Sequence, residues 1–426
     1  MSKINSAIMS LRKRYEEKED AVSAVLLSLV SGKDIVFIGP EGTGKEDLAE
    51  DACGKMSRYI ISPSTDKDEL SSGGTLMLED VFRANSGTMN RIAEMMNSGN
   101  IICGSSPDVP SESDEAYSLY DRFTIRSFII PLCSDGAFLS AVNGKNDTVV
   151  EIISNADIEK ARKGAADIPV DDDVLEAILS LRDIFKDSGK YVSDSRWKDS
   201  LFVMKAAAAA ADDKSVGISY IPLLQHTLCD SPEEKDEVRA SVFSVCTPGS
   251  LEMNSLYAGS EELLRLAVES KGAVDESAGF PRIIYCYDCN SSFPSLKRLK
   301  DHSINKPRHT YADPHIAADS GSQDYVKYSY EGLVTLLSSK YKWDLFKKSD
   351  GSDRERFLSE TKELMKRKNA LDDGYENDRK RLTEGMEKNF WLTDRDRKDV
   401  LTVFNLRSAE LAEVGSLIKD VEYILE

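Results

Sequence analysis

Asp34-Ile35-Val36-Phe37-Ile38-Gly39-Pro40-Glu41-Gly42-Thr43-Gly44-Lys45-Glu46 is the stretch on which the fold turns. The apolar, β-favouring run 35–38 predicts a short strand, and residues 46–56 predict a helix. Strand, glycine loop, helix is the context in which backbone N–H groups cradle phosphates and a lysine reaches the outer ones. Gly39-x-x-x-x-Gly44-Lys45 fits that pattern, so Gly39, Pro40, Glu41, Gly42, Thr43, Gly44 and Lys45 are candidate nucleotide-binding residues. The plainer alternative is a tight glycine turn with an exposed lysine.

The next position departs from the pattern. A Ser or Thr hydroxyl normally binds Mg²⁺ there, and this chain has Glu46. Three readings are open. The carboxylate is made comfortable by the helix N-terminus. It repels phosphate, since like charges about 4 Å apart cost about 4 kcal/mol at an effective dielectric of about 20. Or it ligates Mg²⁺ itself, which accepts carboxylates. The favoured outcome is weakened or metal-altered nucleotide binding.

Working outward, residues 5–30 carry apolar positions at helical spacing, and Gly32 stops that pattern. Further strands are expected at Tyr59–Ser62, Thr75–Leu78, Asn100–Gly104 and Ile125–Pro131, with a helix over 87–97. Strands alternating with helices predict an α/β fold on a parallel sheet. From 136 to 245 helical patterns dominate, and the alanine run 206–211 predicts a close-packed helix. Residues 246–345 turn rich in Ser, Tyr, Asp and Gly, with short strands expected at Ile283–Tyr287 and Asp324–Tyr330. The charged end, roughly 351–426, carries an apolar stripe including Trp391, Val400, Phe404, Leu411, Val414 and Ile418, which predicts a helical hairpin or small bundle.

Composition bounds the reading. The 426 residues predict two to three domains at about 150 residues each. The 41% apolar and 30% charged fractions exclude a wholly disordered chain. Lys and Arg number 55 against 74 Asp and Glu, and the net charge of −19 disfavours nucleic acid and anionic membranes as partners of the whole chain. The N-terminus has no apolar signal-peptide core. Ala21–Val30 is interrupted by serines and is shorter than the roughly 20 residues a membrane span needs. Seven scattered cysteines fit reduced thiols, and the expected location is cytoplasmic.

Two further segments, Leu76-Met77-Leu78-Glu79-Asp80-Val81-Phe82-Arg83-Ala84-Asn85 and Ser118-Leu119-Tyr120-Asp121-Arg122-Phe123-Thr124-Ile125-Arg126, follow the loop. Together with residues 39–45 they resemble the MoxR family of AAA+ ATPases, in its RavA-like branch. Tyr191-Val192-Ser193-Asp194-Ser195-Arg196-Trp197-Lys198 is similar to the start of that branch's lid helix. The resemblance covers roughly residues 5–245, extends more weakly to the charged end, and runs out in 246–345.

What the resemblance implies is an AAA+ αβα nucleotide-binding core over 5–135 and a helical lid over 136–245. A small mixed α+β insert over 246–345 and a C-terminal helical hairpin over 346–426 complete the expected arrangement. Lys45 would bind the phosphates of ATP or ADP. Glu79 and Asp80 would stand where the family has Asp-Glu, an Mg²⁺ ligand followed by the base that orients water. Arg122 would be the arginine finger reaching a neighbouring subunit's nucleotide, and Arg196 the sensor arginine of the lid. The plainer reading of each arginine is a surface salt bridge. Such proteins work as homo-oligomeric rings, often beside a protein with a von Willebrand A domain, in a chaperone-like role on a partner complex.

The departures are concentrated on catalysis. The acidic pair is reversed, so each carboxylate misses its place by about one methylene, and a misplacement of about 1 Å can cost about 10²-fold. Where the family has a water-positioning Asn, Gly104-Ser105-Ser106-Pro107 puts a proline. Only a short segment separates the helix after the loop from the strand at 75, so the pore insert is missing, with Asp68-Glu69-Leu70 as its remnant. With Glu46, these departures imply binding with slow or lost hydrolysis. The rival is a competent ATPase in which Glu46 and Glu79 share the metal and Asp80 is the base.

Outside the resemblance stands Cys286-x2-Cys289-x3-Phe293-x5-Leu299-x2-His302-x6-His309. Two cysteines on a turn facing two histidines on a helix supply the four N/S ligands of tetrahedral Zn²⁺, and Phe293 and Leu299 supply a small core. This is similar to a C2H2 zinc finger, apart from the long last spacing, for which His315 is an alternative ligand. The plainer reading is two reduced cysteines and unrelated histidines. Segment 281–309 carries six basic residues against two acidic ones, so a nucleic-acid-binding adaptor is a second alternative function, less favoured than a structural clamp or protein contact. His226, beside Leu224 and Leu228, reads as a core histidine.

Overall fold

The apolar run before the glycine loop forms β1 (Ile35–Ile38), buried at all four positions as a central parallel strand must be. Ahead of it lie α1 (Lys3–Arg14) and α2 (Glu19–Ser31); every residue of α2 from Ala21 onward is buried. Gly32 ends α2 in the left-handed region and donates to Ser28 O at 2.8 Å. This computed structural model describes residues 3–71, 73–144, 148–270, 279–312, 327–340 and 354–425.

After β1 come α3 (Lys45–Cys53), β2 (Ser57–Ile60), β3 (Thr75–Glu79), α4 (Ser86–Asn97), β4 (Ile101–Ser106), α5 (Glu115–Tyr120) and β5 (Ile125–Phe128). The five strands form a parallel sheet in the order β2-β3-β4-β1-β5. The expected α/β fold on a parallel sheet is the one observed. Its core gathers Val36, Leu76, Leu78, Ile102, Tyr120 and Phe123. β2 starts two residues before the expected position. It is the polar edge strand, with Ile60 72% exposed, so no apolar run marks its register.

The helical stretch that follows is α6 (Asp135–Val142), α7 (Asn155–Asp167), α8 (Asp172–Asp187), α9 (Asp194–Ala210), α10 (Gln225–Leu228) and α11 (Lys235–Ser244). The alanine run lies in α9 and is packed, with Ala206, Ala207, Ala208 and Ala210 buried. A Cβ on Gly164 of α7 would stand only 3.1 Å from Ala209 Cβ, so small residues bring these two helices together. His226 is buried, as expected of a core histidine.

Two compact units divide the chain: Met1–Leu251 with Glu376–Leu406, and Glu252–Tyr375 with Arg407–Glu426. The remaining elements are α12 (Ser250–Ser270), β6 (Gly279–Cys286), β7 (Ser292–Ser295), α13 (Leu296–Asn305), β8 (Tyr311–Ala312), α14 (Tyr330–Lys340), α15 (Arg354–Lys388) and α16 (Asp394–Leu425). In the second unit, α12 packs on parts of α15 and α16 through Leu256, Leu263, Phe357, Leu364, Val414 and Ile418. Beside it, in the same unit, β7, β6 and β8 form a small antiparallel sheet in that order. Of the strand expected at Asp324–Tyr330, residues 324–326 lie outside the described residues, and Tyr328 bridges Tyr311.

The C-terminal hairpin expected over 346–426 is shared between the units. Its tip belongs to the first, where the Trp391 indole is 1% exposed and its N–H donates to Ala207 O at 3.0 Å. Arg12 donates to the carbonyls of Phe390, Trp391 and Leu392. Asp396 pairs with Arg239 at 2.8 Å, both nearly fully buried. Among the described residues, no helix is long and apolar enough to cross a membrane.

Asp34, at the foot of β1, is buried and accepts the Ile102 N–H at 2.7 Å. Burial pushes its carboxyl up to about 7, with the Ile102 bond pulling the other way. A raised folded pKa gives stability that is complete below the unfolded value and lost as pH rises through the folded one. Asp34→Asn keeps an oxygen acceptor without the charge. At about pH 8 it is expected to raise the unfolding free energy by up to about 4 kcal/mol, from about 1.4 kcal/mol per pKa unit, and at about pH 4 to change little. Denaturant titration at both pH values checks this; equal increments at the two would count against it.

Candidate nucleotide-binding site

In an open parallel sheet the ligand crevice forms at the carboxyl ends of strands whose connections leave in opposite directions. Here β1 lies between β4 and β5, its connection leads away to β2, and β4 connects across it to β5. Ile38 pairs with Ser106 and Leu78 with Gly104, so the ends of β1, β3 and β4 come out side by side.

The loop leaves β1 at Gly39, whose N–H donates to Ser106 O at 3.1 Å. Gly39 has φ 154°, and a Cβ there would meet Ile129 O at 2.0 Å, so only glycine fits. Gly44, at φ 77°, closes the loop and opens α3. Among the described residues, the amides of residues 41–46 donate to no protein acceptor. Orphan donors at a helix N-terminus make an anion cradle. Lys45 is 3% exposed and folds back under its own loop, its ammonium donating to Gly39 O at 2.5 Å and Pro40 O at 2.8 Å. One of its three donors is left for a phosphate.

A cleft of about 210 Å³ lies against the cradle, walled by Glu41, Lys45, Glu46, Glu79, Asp80 and the stretch 105–107. Glu46 turns across the cleft floor, where its Oε1 accepts from Ser105 Oγ at 2.8 Å. Glu79, the last residue of β3, is ion-paired with Arg58 of β2. That bond pushes the Arg58 pKa up. Asp80 sits at φ 54°, a left-handed conformation that Asp tolerates better than most residues, and its carboxylate is 3.3 Å from Arg83. An acidic wall therefore faces a cationic cradle whose lysine is already partly engaged.

The two arginines lie elsewhere. Arg122, just after α5, is exposed, and among the described residues its guanidinium has no hydrogen bond or ion pair. Arg196 of α9 donates to the carbonyls of Asp121 (2.7 Å), Phe123 (2.9 Å), Thr124 (3.3 Å) and Thr227 (3.4 Å). It also bonds the Asp121 carboxylate at 3.0 Å, and burial lowers its pKa. Neither lines the cleft. Sequence reasoning missed Ser105 as the partner of Glu46 and Arg58 as the partner of Glu79. Neither carries a local signal, because each bond joins residues from different strands or helices.

In the second unit, Cys286, Cys289, His302 and His309 converge, with one ligand atom from each lying within 4.8 Å of all the others. Cys286 Sγ is 3.3 Å from His309 Nδ1, and Cys289 Sγ is 3.7 Å from His302 Nε2. His302 Nε2 and His309 Nδ1 are 3.3 Å apart. A hydrogen bond from Ser291, on the exposed Cys289 thiol, lowers its pKa to about 7. His315, the alternative ligand, lies outside the described residues.

Residues 173–242 match a family model described as the AAA lid domain. They span α8 to α11. An uncharacterized protein of Methanocaldococcus jannaschii is 21% identical over 289 residues, covering 58% of this chain and 75% of that one. A solved structure from Cytophaga hutchinsonii, named only provisionally as an ATPase, covers 57% of this chain and 93% of its own, at 14% identity and a TM-score of 0.44.

Proposed function

We propose that this chain is a MoxR-type AAA+ protein of the RavA-like branch that binds ATP or ADP at the 39–46 loop and hydrolyses it slowly or not at all. Its role would be chaperone-like: a homo-oligomeric ring that assembles or activates a partner complex, beside a protein with a von Willebrand A domain. The observation that carries this reading is the cradle itself, a row of amides from 41 to 46 that have no partner among the described residues, over a buried lysine with one donor to spare. Those groups fit a polyphosphate tail.

The metal end fits less well. Glu46 replaces the hydroxyl, is held by Ser105, and adds a charge beside the phosphates. Glu79 is drawn toward Arg58. A bound Mg²⁺ would neutralise developing phosphate charge; Glu46, Glu79 and Asp80 are the residues available to hold it. A competent ATPase is the second reading, favoured by one observation, the exposed Arg122 guanidinium, unpaired among the described residues, as an arginine that acts on another subunit would be.

The deciding experiment is an ATP titration of the full chain in chelator and in Mg²⁺. In chelator, Glu46→Gln is expected to bind at least about tenfold tighter than the wild type, because a like charge near the phosphates is removed. Lys45→Ala is expected to abolish binding. Unchanged binding by Lys45→Ala would sink the site, and unchanged binding by Glu46→Gln would sink the repulsion. Steady-state phosphate release lost in both Lys45→Ala and Arg122→Ala would establish the second reading instead.

A further inference from the structure

We infer that Cys286, Cys289, His302 and His309 form a closed structural Zn²⁺ site that holds the small β6–β7–α13–β8 module together. A tetrahedral zinc with Zn–N of about 2.05 Å and Zn–S of about 2.3 Å sets its ligand atoms about 3.3 Å apart for an N–N edge and about 3.5 Å for an S–N edge. The observed edges are 3.3 Å for N–N and 3.3 and 3.7 Å for S–N. Three of the six edges thus stand at coordination distance, and the four ligand atoms all lie within 4.8 Å of one another, a spread that a bound ion would draw in.

The backbone explains how the long second spacing is accommodated. The cysteines flank a tight turn in which Asn290, at φ 55°, donates its N–H to Cys286 O, and Cys286 donates to Ser291 O. α13 carries His302 and ends at Asn305. Lys306 N–H then caps onto His302 O at 2.8 Å, and His309 N–H turns back to Lys306 O at 3.0 Å. The extra residues are used in this turn, which swings His309 to the cluster by its Nδ1 while His302 arrives by its Nε2. Asp288, between the cysteines, accepts both the N–H and the hydroxyl of Thr310, at 2.6 and 3.0 Å. That bond ties the cysteine turn to the residue after His309.

Chemistry selects the ion and its role. Two sulfurs and two imidazole nitrogens in a tetrahedron suit Zn²⁺ and are poor for Mg²⁺, Ca²⁺ or Mn²⁺. Four protein ligands leave no open position for a reacting water, so the site is structural. The module's own core is small, formed by Ile284, Phe293, Leu296, Leu299, Tyr311 and Leu333 around Cys286. So few apolar residues do not fold a module alone, and metal binding supplies the missing free energy. After His309 the chain returns as β8, where Tyr311 pairs with Cys286, so the ion would clamp a third strand as well as the turn and the helix.

The test is metal analysis of the purified full chain, followed by Co²⁺ exchange. Expected are one zinc per chain and the visible absorption of tetrahedral cobalt with thiolate ligands. Cys289→Ser and His302→Asn should each lower bound zinc at least about tenfold, since a closed site loses a ligand. Cys289 is exposed, so its serine variant tests binding without a buried substitution. Lys45→Ala should keep its zinc in full, which separates this inference from the nucleotide site. Full chain grown with zinc that carries less than about a tenth of an ion and shows no cobalt bands would overturn the proposal.

Discussion

Phosphate release in Mg²⁺ is expected to rise at least about a hundredfold when Glu46→Thr, Glu79→Asp and Asp80→Glu are combined in the full chain. Each change repairs one placement. Threonine returns a hydroxyl to the metal position and removes the carboxylate that Ser105 now holds. Aspartate at 79 is too short to stay drawn onto Arg58, so its oxygens fall back toward the head of the cleft. Glutamate at 80 restores the longer arm at the position of the base. The cost has three parts: Ser105 loses its acceptor, worth about 1 kcal/mol, the Arg58–Glu79 pair is given up, and glutamate at the left-handed position 80 is more strained than aspartate. Pro107 stays in the wall of the cleft, so the gain stops short of a fully equipped enzyme. Adding Lys45→Ala to the triple variant should return turnover to background. A folded triple variant that binds ATP yet stays within about threefold of the wild type would show that carboxylate placement is not what limits hydrolysis.

Trp391→Ala is expected to destabilise the first unit by about 3–5 kcal/mol, out of a total that for most domains is about 5–15 kcal/mol. The indole is almost fully buried at the hairpin tip, and its N–H is bonded to Ala207 O in the alanine run of α9. Removing it leaves a cavity and takes one of the two donors from Ala207 O, which keeps the Ala211 N–H at 3.1 Å. Neighbouring bonds cannot make good the loss, because Arg12 grips the backbone of residues 390–392 and not the indole. Leu406→Ala, at a site 58% exposed, is the control and should stay within about 0.5 kcal/mol. Chemical denaturation followed by the unfolding of the first unit measures both. A loss below about 1 kcal/mol for Trp391→Ala would mean the hairpin tip is an accessory and not part of that unit's core.

Trp391 also shows how the chain is divided. Residues 346–426 read as one charged, amphipathic element, since their apolar stripe repeats at helical spacing from Trp391 to Ile424. The stripe was real, but its partners could not be told from it. Trp391 faces Ala207 and Arg12, while Leu411, Val414 and Ile418 face Leu256 and Leu263 of α12. One helical hairpin thus serves two cores.

What the sequence determined by itself was whatever contiguous residues encode. Strand, glycine loop and helix sit within twenty residues, and Gly39 and Gly44 are dictated by backbone geometry that only glycine adopts freely. The Cys/His spacing was equally legible, because all four side chains lie within residues 286–309, although only His302 is on the helix and His309, expected there too, comes from the turn after it. Only the tertiary structure decided how the cleft is wired: Lys45 folded onto its own loop carbonyls, Glu46 taken by Ser105 from 59 residues away, Glu79 by Arg58, and Arg196 spent on the carbonyls of 121–124. The physical reason is that hydrophobic period and turn chemistry act between near neighbours, whereas these bonds form between groups that meet only after the sheet and lid have packed.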